Sequence, residues 1–185
     1  IVMFLKQSFF SLIFIVSFFG NYSQEINWIS LEKAMEAQKT IPKNLILDAY
    51  TNWCGPCKLM DKNTFQNKFI SEYINKYYYA VKFNAEGNEI INFNGRKFEN
   101  IRYDKSKSKS RNSSHQFAQF LGINAYPTTL FFDDQMNLIT PIKGYLVPQQ
   151  LEIYLELFRT DNYKSIKSQE DFDKFIKNFK SKLKG

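Results

Sequence analysis

Cysteine is scarce in this chain: Cys54 and Cys57 are the only two in 185 residues. A small fold stapled by a disulfide framework is thereby excluded. Histidine is scarcer, with His115 alone. A structural zinc site takes four ligands and a catalytic one three, and one cysteine pair with a distant histidine supplies these poorly. A cysteine hydrolase would depend on His115 as its base. A lone histidine near the start of a helical stretch reads instead as a surface or capping residue. Long apolar runs are also missing. The longest, Phe9 to Phe19, is too short for a spanning helix of about 20 residues. There is no internal repeat and no convincing linker. The net charge is +7, but the basic residues lack the interleaved aromatics of a nucleic-acid platform. They cluster in "DKSKSKSRNSS" (104–114) and in 164–185, which read as a solvated loop and the outer face of a helix. Loose attraction to acidic partners stays open.

What is present is an aromatic-rich core. Hydrophobic residues make up 44% and aromatics 17%, with 19 Phe and 11 Tyr, enough to fill one domain. A domain of this size buries about 70% of its unfolded surface without help from disulfides. Residues 1–23 stand apart. Lys6, the apolar run and a small, polar tail have the order of a secretory signal peptide. Cleavage is expected after Ser23, leaving Gln24 first, with a membrane anchor as the alternative. No cysteine follows the apolar run, which argues against a lipid-modified N-terminus. The expected destination is outside the cytoplasm, in a bacterial periplasm, with no stable membrane insertion after cleavage.

Periodicity then orders the chain. "SLEKAMEAQ" (30–38) predicts a helix capped by Ser30, and "NLILDAYT" (44–51) a strand buried on both faces. A helix follows Pro56, which is tolerated in a first turn. Helix 67–77 and strand 78–86 come next. Asn94-Gly95 is the favoured pair of a type I′ turn, so 89–104 predicts a hairpin. A helix at 113–123 is expected to be capped by Ser113 or Ser114 and closed by Gly122. Strands 126–133 and 138–143 form an antiparallel pair. Helix 147–158 has a core face of Leu151, Tyr154, Leu155 and Phe158. A last amphipathic helix, 169–183, carries Phe172, Phe175, Ile176, Phe179 and Leu183 on one side.

"TNWCGPCKLM" (51–60) holds both cysteines. Cys54 falls where strand gives way to helix, and unpaired N–H groups at a helix N-terminus favour the thiolate that attacks disulfides. Cys57 follows one turn later, within reach to resolve a mixed disulfide. Gly55 lets backbone approach closely, and Pro56 stiffens the loop. Metal binding and a structural staple are weaker readings: ligands are few, and a loop this short is stabilised little by closure. Asp48 lies inside an apolar strand, where burial of an unpaired carboxylate raises its pKa.

Trp-Cys-Gly-Pro-Cys-Lys after a buried strand resembles thioredoxin. The resemblance covers roughly 26–86 and 115–158. It implies an α/β, thioredoxin-like fold: a central mixed β-sheet flanked by helices, here with a β-hairpin insertion at about 87–114 and an extra C-terminal helix. The implied divisions are a signal peptide at 1–23, a thioredoxin-like domain at 24–160 and a helical extension at 161–185. The additions resemble those of exported thioredoxin-like proteins of the Bacteroidetes type, and the insertion either flanks the substrate groove or caps a sheet edge.

The resemblance makes Cys54, Cys57 and Asp48 the catalytic set, with Asp48 as the buried acid that exchanges a proton with the buried cysteine. Lys82 matches the lysine near that acid. Tyr126-Pro127-Thr128 matches the loop in which a cis-proline faces the cysteines, and Gly144 the glycine of the last strand–helix junction. Trp53 shields the pair or simply packs. No metal and no cofactor beyond the Cys54–Cys57 couple is implied. A histidine between the cysteines marks the oxidising members, whereas Gly55-Pro56 marks the reducing ones. The implied activity is reduction of disulfides in substrate proteins, which outside the cytoplasm calls for a membrane thiol electron donor. A disulfide oxidase or isomerase on this fold, or a binding module with a vestigial couple, are the alternatives.

Overall fold

The computed structural model describes residues 25–183; the expected signal peptide, 1–23, lies outside them. Five strands form one mixed sheet. β1 (Trp28–Ile29), β2 (Asn44–Tyr50) and β3 (Tyr78–Asn84) are parallel, and β6 (Thr128–Phe132) and β7 (Leu138–Lys143) add antiparallel pairs, in the order β1-β3-β2-β6-β7. Pro141 lies in β7, the edge strand, where a missing N–H is tolerated. The fold is the thioredoxin-like α/β architecture expected, with the hairpin insertion and the added C-terminal helix both present.

Alternation along β2 divides the core. Leu45, Leu47 and Ala49 join Val81, Phe83, Leu130 and Phe132 on one face. Ile46 joins Ala80 and Phe131 on the other. The first face is covered by α1 (Leu31–Gln38), whose Ser30 cap accepts from Lys33 N, and by the insertion. The second is covered by α2 (Gly55–Met60) with its π-helical continuation Asp61–Phe65, by α3 (Lys68–Tyr77) and by α5 (Pro148–Arg159). Successive strand residues face opposite ways. Asp48 therefore shares the face of Ile46, beneath α2. Lys82 and Thr129 are its register neighbours on β3 and β6.

The insertion builds a small sheet of its own from β4 (Ile91–Phe93) and β5 (Arg96–Phe98). Asn94 and Gly95 turn between them with φ of 50° and 75°, the paired positive values of a type I′ turn. Phe93 and Phe98 pack on Phe117, at ring distances of 5.5 and 5.2 Å.

Several expectations are corrected. The helix after the insertion, α4 (Gln116–Phe120), is capped by His115 rather than by Ser113 or Ser114. Ser113 Oγ is engaged by Asn100 Oδ1, and the backbone stays extended through His115, whose N–H donates to Ala85 O. His115 Nδ1 accepts from Phe117 N and Nε2 bonds with Glu89 O, so this histidine is a fully buried cap and not a surface residue. The last helix, α6 (Gln169–Asn178), ends before 183 because Glu152, buried on α5, accepts from Ser181 Oγ and from Lys182 N at 2.5 and 2.6 Å. Ile176 is exposed, so the apolar side of α6 that reaches the core is Phe172 and Phe175, with Leu183 beyond the helix. Tyr154 is half-buried and stacks on Phe172, while Leu157 joins Leu151, Leu155 and Phe158 in the core.

Glu152→Ala removes both anchors of the C-terminal segment. Loss of two hydrogen bonds to a buried carboxylate is expected to lower stability by about 1–3 kcal/mol, read as a lower urea midpoint. An unchanged midpoint would show that the segment adds nothing to stability.

Candidate functional site

Cys54 is the N-cap of α2 and Cys57 lies in its first turn. Thr51 O accepts from Cys54 N, and Cys54 Sγ accepts from Cys57 N at 3.1 Å. The two sulfurs are joined in a disulfide, and both residues are almost wholly covered, at 2% and 6% exposure. The chain thus holds the oxidised form of the couple in a loop set by the end of β2 and the start of α2. Beyond its chain neighbours and its own helix backbone, a Cβ added at Gly55 would meet no atom within 4 Å. Nothing in the fold itself demands glycine there; the open space is available to an incoming backbone.

Beside the couple stand Trp53 and the Tyr126–Pro127 turn. Thr128 pairs with Ala49, so residues 126 and 127 lie just beyond the end of β2, next to the cysteine loop. The Tyr126–Pro127 peptide is cis, and Trp53 meets Tyr126 edge-on with ring centroids 6.0 Å apart. Gly144, at φ 96°, donates its N–H to Pro127 O and so ties the turn to the end of β7. Trp53 Nε1 donates to Glu86 Oε2 at 2.7 Å. Burial, and secondarily the Glu86 charge, pushes the Tyr126 phenol up to about 12, so it stays neutral.

Under the couple is a cavity of about 260 Å³ whose walls include Cys57, Asp48, Thr51, Tyr50, Lys82 and Asp61. Asp48 is buried, and its Oδ1 has no hydrogen-bond partner in the protein. Its pKa is raised from 3.8 to about 7, first by desolvation, with Lys82 opposing and Asp61 adding to the rise. The arrangement provides a carboxyl group able to hold or release a proton near neutrality, in one cavity with the buried cysteine.

Lys82 shares this cavity, as the resemblance implied, but its ion pair is with Asp61. Its ammonium also lies 5.0 Å over the Trp28 ring and 5.8 Å from that of Tyr50. Asp61 was missed in the sequence, although its place four residues after Cys57 puts it one helical turn along the same face. Glu86 and Arg111, whose guanidinium lies 4.7 Å over the Trp53 ring, were missed as well. Their approach depends on how the insertion folds back, and no local pattern signals it.

Residues 31–159 match the family model described as a thioredoxin-like domain. No curated protein matches the chain. Similar solved structures include a thioredoxin-fold protein from Helicobacter pylori, 24% identical, with a TM-score of 0.57, covering 74% of this chain and 81% of that one. A thioredoxin from Thermus thermophilus is 11% identical with a TM-score of 0.53, covering 76% and 89%. A putative disulphide-isomerase from Bacteroides thetaiotaomicron is 23% identical with a TM-score of 0.50, covering 72% and 93%. At these identities the likeness is one of fold.

The raised Asp48 pKa has a sign in stability. Below about pH 4 the group is protonated in both folded and unfolded chains. As pH rises towards 7 only the unfolded chain ionises it, so the stability of the neutral buried form is progressively lost. With pKa values of 3.8 and about 7, the loss is at most about 4 kcal/mol. Asp48→Asn is therefore expected to stabilise the oxidised protein at pH 8 and to change little at pH 4, measured by urea unfolding. An equal effect at both pH values would show that Asp48 ionises normally.

Proposed function

The chain belongs to the thioredoxin-like family, and from that premise we propose that it is an exported thiol-disulfide oxidoreductase that reduces disulfides in substrate proteins. The observation that carries this reading is the Cys54–Cys57 pair at the head of α2, in contact with the cavity that holds Asp48.

In the reduced protein the Cys54 thiolate, favoured by the N–H groups at the start of α2, attacks one sulfur of a substrate disulfide. A mixed disulfide forms and the other substrate sulfur leaves as a thiolate. Cys57 then gives its proton to the Asp48 carboxylate and attacks Cys54 Sγ. The mixed bond breaks, the second substrate thiolate leaves, and both substrate sulfurs take up protons. Two electrons have passed to the substrate, and the Cys54–Cys57 disulfide is the protein's product. Trp53, Tyr126 and Pro127 flank the couple and supply the wall against which a substrate strand lies, with Gly55 leaving it room.

One feature supports reduction as the direction. Gly55 and Pro56 place no cation between the cysteines, so nothing there stabilises the thiolate further and turns the couple into a strong oxidant. The signal-like order of residues 1–23 supports export, and among the described residues no helix is long and apolar enough to cross a membrane. Outside the cytoplasm a membrane thiol donor would return Cys54 and Cys57 to the reduced state. Lys82, held by Asp61, moderates the charge that Asp48 acquires.

The reduced protein is expected to cleave insulin disulfides, and Cys54→Ser to bring the rate down to that without protein. Cys57→Ser is expected to accumulate mixed disulfides through Cys54. Undiminished turnover in Cys54→Ser, or no trapped species in Cys57→Ser, would contradict the mechanism.

A further inference from the structure

The return limb of the insertion, 99–114, is drawn onto the cysteine loop at three points. Asn52 Nδ2 donates to Ser108 O at 2.8 Å. The Arg111 guanidinium lies on the Trp53 ring. Glu86 Oε2 accepts from Trp53 Nε1 and from Asn112 N, at 2.7 and 2.8 Å, joining the two segments through one oxygen. The limb is also closed on itself. Asn112 and Asp104 bond reciprocally, Nδ2 to O at 2.8 Å and N to Oδ1 at 3.0 Å, and Asn100 Nδ2 bridges Gly87 O and Ser113 O. A surface loop held this way keeps a fixed place beside the couple.

Its charge is one-sided. Arg102, Lys105, Lys107, Lys109 and Arg111 are all exposed, against two acids, Asp104 and Glu99, and Glu99 is paired with Lys97. Asp104 is 3.6 Å from Lys107 in a solvent-exposed pair. Among the described residues Arg102, Lys105 and Lys109 make no ion pair. Lys58, exposed on α2 and lining the same cavity as Asn52 and Cys57, extends the positive field. The nearby acids offset it little: Asp61 is paired with Lys82 and Glu86 is engaged by Trp53 and Asn112, leaving Glu89. Fixed charge of one sign around a reactive centre raises the encounter rate of partners of opposite charge.

We propose that the 99–114 limb is a cationic lip of the dithiol site, and that it selects disulfide-bearing protein segments with acidic residues beside the half-cystine. The selection rests on the reductase reading above. Its structural basis is independent of that reading, because it lies in the anchoring of the limb by Asn52, Trp53 and Glu86 rather than in the cysteines. Arg111 is already spent on Trp53 and acts as a positioning residue; Lys105 and Lys109 present unpaired charge, and Lys107 adds to it from its exposed pair with Asp104.

The test uses the whole pre-reduced protein and three disulfide peptides that differ only in the residues flanking the cysteines: Asp, Gln or Lys. Reduction is expected to be fastest for the Asp peptide and slowest for the Lys peptide. The spread is expected to be about tenfold at low salt and largely gone at about 1 M salt, where the Debye length is about 3 Å. Combined Lys105→Gln, Lys107→Gln and Lys109→Gln substitutions are expected to abolish the spread while leaving the Gln peptide's rate unchanged. Equal rates for the Asp and Lys peptides, with the Gln peptide reduced, would overturn the lip and leave the reductase reading standing. A preference that survives the triple substitution would place the selection elsewhere and also overturn it. If no peptide is reduced, the reductase reading fails and the lip falls with it.

Discussion

Burial of the Asp48 carboxyl group is the constraint around which the rest of the site is arranged. A strand with apolar neighbours on both faces has no room for a charge unless something beneath it accepts one. β2 meets this by alternation. Leu47 and Ala49 point into the core shared with α1 and the insertion, while Asp48 turns to the face covered by α2. There the cavity opens towards Cys57, and Lys82 and Asp61 neutralise one another at its wall. A buried acid with a pKa near 7 destabilises the folded chain at neutral pH. Such a group is tolerated where proton exchange is needed, and functional sites are where such shifts concentrate.

The other face of the sheet serves a different purpose. The hairpin β4–β5 and α4 build an aromatic layer of Phe93, Phe98, Phe117 and Phe120, with His115 buried as the cap of α4. That layer secures the insertion at its base. The return limb is then free to cross the end of the sheet and settle on Trp53. The insertion therefore joins the two faces: it packs on one and reaches the active loop that belongs to the other. On the face shared by α2 and α5, α6 and the segment after it are held by the buried Glu152 of α5.

Much of this was legible in the residue order, for local reasons. The strand with Asp48 is an apolar run, the turn at Asn94-Gly95 is dictated by positive φ, and Cys54 meets the helix start that Pro56 marks. These depend on near neighbours alone. What escaped depends on distant ones. Lys82 was placed beside Asp48, but its ion pair belongs to Asp61, a choice made by the π-helical turn after α2. Ser113 or Ser114 is the cap of α4 that the residue order suggests, but Asn100 holds the Ser113 hydroxyl, and the extended chain hands the role to His115. The end of α6 is set by a carboxylate about thirty residues upstream. Glu86 shows the same limit most clearly, since one oxygen links Trp53 to Asn112 across a fold that no short pattern encodes.

The central claim is that this couple gives electrons. The equilibrium of Cys54 and Cys57 with defined glutathione redox buffers measures it most directly. A reduction potential near the thioredoxin value of about −270 mV is the expected result. A value near about −120 mV, that of a strong disulfide oxidant, would contradict it.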